Sequence, residues 1–101
     1  MTRTSWTDLK NKRLADMSAT ERAEYDRTYA EAQLAADVGE RIHTAREAAG
    51  LSQRELARRM GTSQAAIDRL ESGGVGATLT TLQRVASALG LEVNIELRPT
   101  A

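Results

Sequence analysis

The sequence contains no cysteine and no phenylalanine, and it has one histidine and one proline among its 101 residues. Without cysteine the chain has no disulfide, no thiolate metal site and no thiol nucleophile, and the single His43 offers no histidine-built zinc site. No apolar run approaches the roughly 18 residues that a membrane helix needs, and residues 1–17 lack the apolar region of a signal peptide. We therefore expect a cytoplasmic protein without metal, cofactor or membrane contact.

The chain also has no formal net charge at neutral pH. Lysine plus arginine number 14 and aspartate plus glutamate number 14, so any basic surface must be local. Residues 38–90 hold seven arginines and five acidic residues, whereas each flank has one acidic residue in excess. Aromatic residues make up only 3%, so the core must consist of alanine, leucine, isoleucine and valine, which favours closely packed helices in one small domain.

Glycines and capping residues divide residues 38–61 into two helices. Val38, Ile42, Ala45 and Ala49 recur at helical spacing, and Gly50 follows as a C-cap. Ser52-Gln53-Arg54-Glu55 is a capping box, which predicts the start of a helix that Gly61 ends two turns later.

Two further helices are predicted between residues 63 and 90. Ser63 is placed to cap a helix over residues 64–72, and the glycine-rich stretch at 73–76 breaks the chain. Thr78 or Thr80 then caps an amphipathic helix that ends at Gly90. Four helices are therefore expected between residues 38 and 90.

The C-terminal segment has the pattern of a β-strand. Its apolar residues alternate with polar ones, at Leu91, Val93, Ile95 and Leu97. No other part of the chain has a strand pattern, and a single strand leaves its backbone groups unpaired. We therefore predict that residues 91–101 are a C-terminal strand and tail, in which the strand at residues 91–97 pairs with a second copy of the chain and forms the contact of a homodimer.

The N-terminal 37 residues are predicted to be helical and to bind a partner. A second capping box, Ser18-Ala19-Thr20-Glu21, begins a helix that extends to about Ala36. One face of this helix carries four apolar residues expected to lie against the core, namely Ala19, Ala23, Ala30 and Leu34. A roughly opposite face carries Tyr25, Tyr29, Ala32 and Ala36. Two apolar faces require two neighbours, and the chain itself easily supplies only one.

Residues 53–72 combine a two-turn helix, a turn at Gly61-Thr62-Ser63 and a second helix. Small Ala57 allows the helices to approach, Gly61 supplies a positive φ, and Ile67 and Leu70 face the first helix. The stretch LSQRELARRMGTSQAAIDRLESG at residues 51–73 resembles the Cro/C1-type (XRE) helix-turn-helix family, and the resemblance extends over residues 38–90. It implies a mainly α fold, here a helix-turn-helix bundle with extra N-terminal helices and a short C-terminal strand used in dimerisation.

The resemblance also implies a DNA-binding site. Gln64, Ala65 and Arg69 would face base edges in the major groove of double-stranded operator DNA. Phosphate contacts would come from Ser52, Gln53 and Ser63, and the site would also include Arg54 and Asp68. Asp68 is open to two interpretations, since it could accept a hydrogen bond from cytosine N4 or simply repel phosphate.

Two structural implications accompany that site. Arg46 and Glu71 match an ion pair of the family that joins the first helix of the domain to the end of the recognition helix. The loop at residues 73–77 lacks the lysine or arginine that family members often carry, so phosphate contacts there would come from backbone N–H groups or be missing. Ser52 and Ser63 have no neighbouring base in a local motif, so we interpret them as helix caps and expect no enzymatic activity.

The arrangement of charged N-terminal helices, Cro/C1 domain and terminal strand is similar to the HigA-type antitoxins of type II toxin-antitoxin modules. This resemblance implies that the protein neutralises a RelE-like ribonuclease toxin and represses its own operon. The toxin would bind residues 1–37, with Trp6, Tyr25 and Tyr29 as anchors. Two alternatives stay open: a stand-alone phage-like XRE repressor without a toxin, and a protein-interaction adaptor whose DNA-binding surface is vestigial.

Overall fold

The computed structural model describes residues 6–74 and 77–100, with side chains from Asp8 onward. As predicted, the described residues are mainly α-helical. The helices are α1 (Trp6–Asp16), α2 (Ala19–Ala48), α3 (Gln53–Met60), α4 (Gln64–Glu71) and α5 (Leu79–Leu89). The chain divides into two compact units, Met1–Ala32 and Gln33–Ala101. Within the described residues no helix is both long enough and apolar enough to span a membrane.

The N-terminal unit contains α1 and the first part of α2. Between the two helices, the Ser18 hydroxyl accepts a hydrogen bond from the Glu21 N–H at 3.2 Å, which satisfies one free donor at the start of α2. Lys10 Nζ lies 5.1 Å from the centre of the Tyr29 ring, a cation–π contact between α1 and α2. Leu14 and Met17 are half-buried, whereas Leu9 is exposed.

The core of the second unit lies where α3 meets α4 and α5. Leu56 and Ile67 are completely buried, and burial of each such side chain contributes about 1.5–3 kcal/mol. α3 packs against both α4 and α5. The other buried core residues are Ile42, Ala57, Leu70 and Val85.

Side-chain caps fix the N-terminal ends of the three short helices, as the sequence predicts. The Ser52 hydroxyl accepts from the Glu55 N–H at 3.1 Å and the Glu55 carboxylate accepts from the Ser52 N–H at 3.4 Å, which completes the capping box of α3. Ser63 caps α4 in the same way, and Thr78, one of the two candidates, caps α5. These caps determine where each helix begins.

The long helix does not end at about Ala36 as the sequence predicts, since α2 continues from Ala19 to Ala48 without a break. Gly39 lies inside this helix and is buried. A Cβ atom at this position would stand 2.5 Å from the backbone oxygen of Leu70 and 2.6 Å from that of Glu71. Glycine is therefore needed for the close approach of α2 to the end of α4, and it does not end a helix here.

The predicted C-terminal strand is also absent: the described part of the segment, residues 91–100, has no regular secondary structure, and all of it is exposed. A β-ladder requires a second strand whose backbone groups accept and donate in turn. No other described residues of the chain form a strand, so a single copy does not provide that partner.

The predicted inward face of the N-terminal part of α2 is wrong as well. Its four residues are exposed, and Leu34 has 65% of its surface accessible. Tyr25, on the other predicted face, is half-buried. A stripe made mainly of alanine buries little apolar area, so it does not determine which face of a helix packs.

Candidate nucleic-acid interface

The helices α3 and α4 are joined by a tight turn that presents the N-terminus of α4 to solvent. Gly61 has φ of 68° in the left-handed region, as predicted, and the Thr62 N–H reaches back to the carbonyl of Ala57 at 2.9 Å. On α4, Ile67 and Leu70 are buried. The exposed face of α4 consists of Gln64, Ala65, Asp68 and Arg69.

Two glutamines and an arginine are joined at the start of α4. Arg54 Nε donates to Gln64 Oε1 at 3.0 Å, and Gln64 Nε2 donates to Gln53 Oε1 at 3.4 Å. An amide oxygen can accept twice and an amide nitrogen can donate twice, so Gln64 keeps one acceptor site and one donor for a ligand. The side chain is thus oriented by its neighbours and still able to bind.

Gln53 also connects the exposed face to a buried cluster. Its Nε2 lies 3.4 Å from Asp68 Oδ1 and 3.4 Å from Glu71 Oε1. The carboxylate of Asp68 therefore has a donor from α3 within the protein. Ser52 and Ser63 lie at the first positions before α3 and α4, where both hydroxyls accept backbone hydrogen bonds.

The buried cluster is an ion pair between α2 and α4. Arg46 Nε donates to Glu71 Oε2 at 2.7 Å and Arg46 Nη2 donates to Glu71 Oε1 at 3.0 Å, a two-pronged contact between side chains that are 10% and 5% exposed. Arg46 Nη1 also donates to the carbonyl of Leu51 at 2.8 Å. This pair connects α2, the first helix of the domain, to the end of α4.

The charges of this pair support each other. Burial acts to raise the pKa of Glu71, but the hydrogen bonds with Arg46, His43 and Gln53 outweigh it and hold that pKa below its ordinary value. The hydrogen bond with Glu71 raises the pKa of Arg46, although burial opposes this effect. Both groups are therefore charged at neutral pH.

His43 belongs to this cluster, a role that the sequence analysis missed. Its Nδ1 lies 2.7 Å from Glu71 Oε1 and its Nε2 lies 3.1 Å from Glu47 Oε1. The available signal was spacing, since His43 precedes Arg46 by three residues and Glu47 by four, and such residues share one face of a helix.

The loop after α4 begins with backbone groups that are already paired. The Gly73 N–H donates to Leu70 O at 3.3 Å and the Gly74 N–H donates to Arg69 O at 2.7 Å. These two N–H groups close the end of α4, so they are not free for phosphate. Residues 75 and 76 lie outside the described residues.

The residues predicted to bind a toxin are only partly described. Tyr29 is 54% exposed and lies under Lys10, and Tyr25 is half-buried. The side chain of Trp6 lies outside the described part of the structure.

A short helix, a left-handed glycine turn and a second capped helix with an exposed polar N-terminus define a helix-turn-helix DNA-binding protein. The chain belongs to the helix-turn-helix family HTH_3, whose model matches residues 42–95. It is thus a sequence-specific DNA-binding regulator of the Cro/C1 (XRE) type.

A solved structure is similar to this chain: the restriction-modification controller protein C.AhdI from Aeromonas hydrophila, determined as a high-resolution crystal structure. The two superpose with a TM-score of 0.54 and share 32% sequence identity, over 56% of this chain and 83% of the controller. No curated protein matches the sequence significantly.

Proposed function

We propose that this chain is a stand-alone transcription regulator that binds operator DNA as a homodimer and represses transcription there. The observation that carries the proposal is the Arg54–Gln64–Gln53 chain of hydrogen bonds, which orients a glutamine at the exposed start of α4. The similarity to a controller protein supports regulation, and the match includes most of that protein's chain.

In this proposal α4 lies in the major groove. Gln64 pairs with adenine, Arg69 pairs with guanine, and Ala65 contacts a thymine methyl. The backbone on either side is held by Ser52, Gln53 and Ser63. Arg54 orients Gln64, and Asp68, which already has Gln53 as a donor, accepts from cytosine N4 where the site offers one.

The dimer would form through the C-terminal segment. Leu91, Val93, Ile95 and Leu97 are each at least 37% exposed, and the backbone of residues 92–97 has no ladder partner among the described residues of the single chain. Pairing two copies as an antiparallel ribbon would bury these side chains and set the recognition helices roughly 34 Å apart, one turn of DNA. Two copies also double the number of phosphate contacts.

Base reading is tested with Arg69→Ala. A duplex is first selected by the wild-type protein from a random-sequence pool, and affinities are then measured by fluorescence anisotropy on that duplex and on an unrelated one. We expect Arg69→Ala to cost about 1–3 kcal/mol on the selected duplex and little on the unrelated one.

The matched control is Arg41→Ala, because Arg41 is exposed on α2 and its side chain bonds to no described residue. It should leave both affinities unchanged. Equal losses for Arg69→Ala on both duplexes would mean that Arg69 contacts phosphate, and failure of the wild-type protein to select any sequence would overturn the proposed function.

A second function, neutralisation of a RelE-like ribonuclease toxin by residues 1–37, is supported by the exposure of Tyr29. An aromatic ring that is half accessible is a suitable anchor for a protein partner. A chain lacking residues 1–36, and the full chain carrying Tyr29→Ala, should both bind the operator and fail to protect cells from the toxin of a neighbouring gene. Full protection by both variants would exclude this function.

A further inference from the structure

A groove of about 230 Å³ lies beside the exposed face of α4. Its walls come from three elements: the end of α3 and the following turn, α4, and α5. Four polar side chains line it, and each can donate a hydrogen bond: Thr62, Arg69, Thr81 and Arg84. Among the described residues, no aspartate or glutamate lines this groove.

The two arginines of the groove are not neutralised within the described residues. Arg69 and Arg84 are exposed, and neither guanidinium group forms a hydrogen bond or ion pair with a described residue. By contrast, Arg46 pairs with Glu71, Arg54 with Gln64, and Arg59 with the carbonyl of Ala88. Two guanidinium groups that line one groove without a carboxylate create a local positive potential that favours an anion.

A hydroxyl group is available at the same place. Thr81 Oγ1 lies 2.9 Å from Thr78 Oγ1. If the Thr78 hydroxyl donates in this contact, the Thr81 hydroxyl proton is free to donate into the groove. Thr81 and Arg84 are three residues apart on α5, so both project from the same face of that helix.

The groove adjoins the DNA-reading face through Arg69, which belongs to both. We propose that Arg84, together with the hydroxyls of Thr62 and Thr81, binds one phosphate of the DNA backbone beside the major groove that α4 enters. The proposal rests on the proposed function, and it places a DNA contact on α5, outside the two helices of the motif. It also supplies a phosphate contact that the backbone N–H groups of Gly73 and Gly74, which already bond to α4, do not provide.

The two arginines then differ in kind. Arg69 contacts a base, so its removal weakens binding to the preferred sequence. Arg84 contacts phosphate, which every sequence presents, so its removal weakens binding to all duplexes by the same factor. The affinity falls with salt, and each phosphate contact makes the slope of log affinity against log salt concentration more negative by about 0.9.

The test measures affinity at several salt concentrations for the wild-type protein, Arg84→Gln and the control Arg41→Gln. Arg41 is a suitable control because it is equally exposed and unpaired among described residues, but it lines a different groove with acidic residues of α2. The probes are the duplex selected by the wild-type protein and an unrelated duplex. At 0.1 M salt Arg84→Gln should lose about five- to tenfold in affinity on both, with the salt slope reduced by about 1.

The remaining outcomes separate this proposal from the proposed function. If the wild-type protein selects a sequence but Arg84→Gln keeps its affinity and slope, no phosphate is bound by Arg84. A loss of affinity that Arg41→Gln reproduces shows only an effect of net charge, and this outcome also overturns the proposal. If Arg84→Gln instead becomes monomeric in sedimentation equilibrium, the groove holds a carboxylate of the second copy. If the wild-type protein binds no DNA, the proposed function fails first.

Discussion

Glu71 joins side chains from three helices at one carboxylate. It lies on α4 and is bonded to His43 and Arg46 on α2 and to Gln53 on α3. Because Gln53 also bonds to Gln64, the buried pair is connected to the exposed start of α4. A single residue thus links the stability of the motif to the orientation of the side chain proposed to read DNA.

We predict that breaking this pair is more harmful than replacing it. Arg46→Met or Glu71→Leu alone leaves a buried charge without its partner and should lower the free energy of unfolding by about 3–5 kcal/mol. The double variant removes both charges and should be close to neutral by comparison. Urea denaturation followed by circular dichroism measures all three, with Arg41→Met, on the same helix and exposed, as a control expected within about 0.5 kcal/mol of the wild type.

Additive losses in this double-mutant cycle would contradict the coupling between Arg46 and Glu71.

The pH dependence of the free energy of unfolding is an independent test of the same pair. Since the pKa of Glu71 is held below its ordinary value, its contribution is present above that ordinary value and is lost as the pH falls through the lowered one. The double variant should lack this part of the acid sensitivity.

At the scale of elements, the approach of α2 to the end of α4 decides how the motif is held. Gly39 makes the approach possible, because no side-chain atom separates α2 from the carbonyls of Leu70 and Glu71. The same contact brings His43, one turn further along α2, and Arg46, two turns further along, within reach of Glu71. The glycine and the ion pair are therefore parts of one helix contact.

Gly39→Ala tests this contact. Alanine favours a helix by about 1 kcal/mol over glycine, so an open site would be stabilised. Here the new methyl group overlaps backbone atoms that are not free to rotate away, and we expect a net loss of about 1–3 kcal/mol, seen as a lower Tm. Thr44→Ala, at an exposed position of α2, is the control and should change little. A more stable Gly39→Ala variant would show that α2 can move away without cost.

At the scale of the whole molecule, the C-terminal segment is the part whose apolar side chains stay exposed in a single chain. A chain ending at Gly90 should be monomeric by light scattering and should bind operator DNA weakly, because one recognition helix is then separated from its partner. Truncation also removes the Leu91 N–H, which bonds to Ala86 O at 2.8 Å and closes α5. Ile95→Lys in the full chain avoids that problem and should have the same effect.

Asn94→Lys is the matched control, since Asn94 occupies the opposite, polar position of the alternating pattern. It should remain dimeric and bind as the wild type does. Dimers of both the truncated chain and Ile95→Lys would place the homodimer contact elsewhere on the surface.

Local features of the sequence determined most of the helix-turn-helix unit. Ser52, Ser63 and Thr78 cap their helices, and Gly61 adopts a left-handed conformation, because these effects depend only on residues within one helical turn. The apolar spacing also identified Ile67 and Leu70 as buried. The family resemblance further pointed to the exposed face of α4.

Only the tertiary structure decided the features that depend on residues far apart in the chain. Gly39 has the same local signal whether it ends a helix or allows two elements to touch, and the carbonyls of α4 that distinguish these cases lie about thirty residues away in sequence. Residues 91–97 carry a strand pattern, but a strand exists only where backbone partners are present, and one copy supplies none among its described residues. His43 and Arg84 gain their proposed importance from neighbours on other helices, which periodicity within a single helix does not reveal.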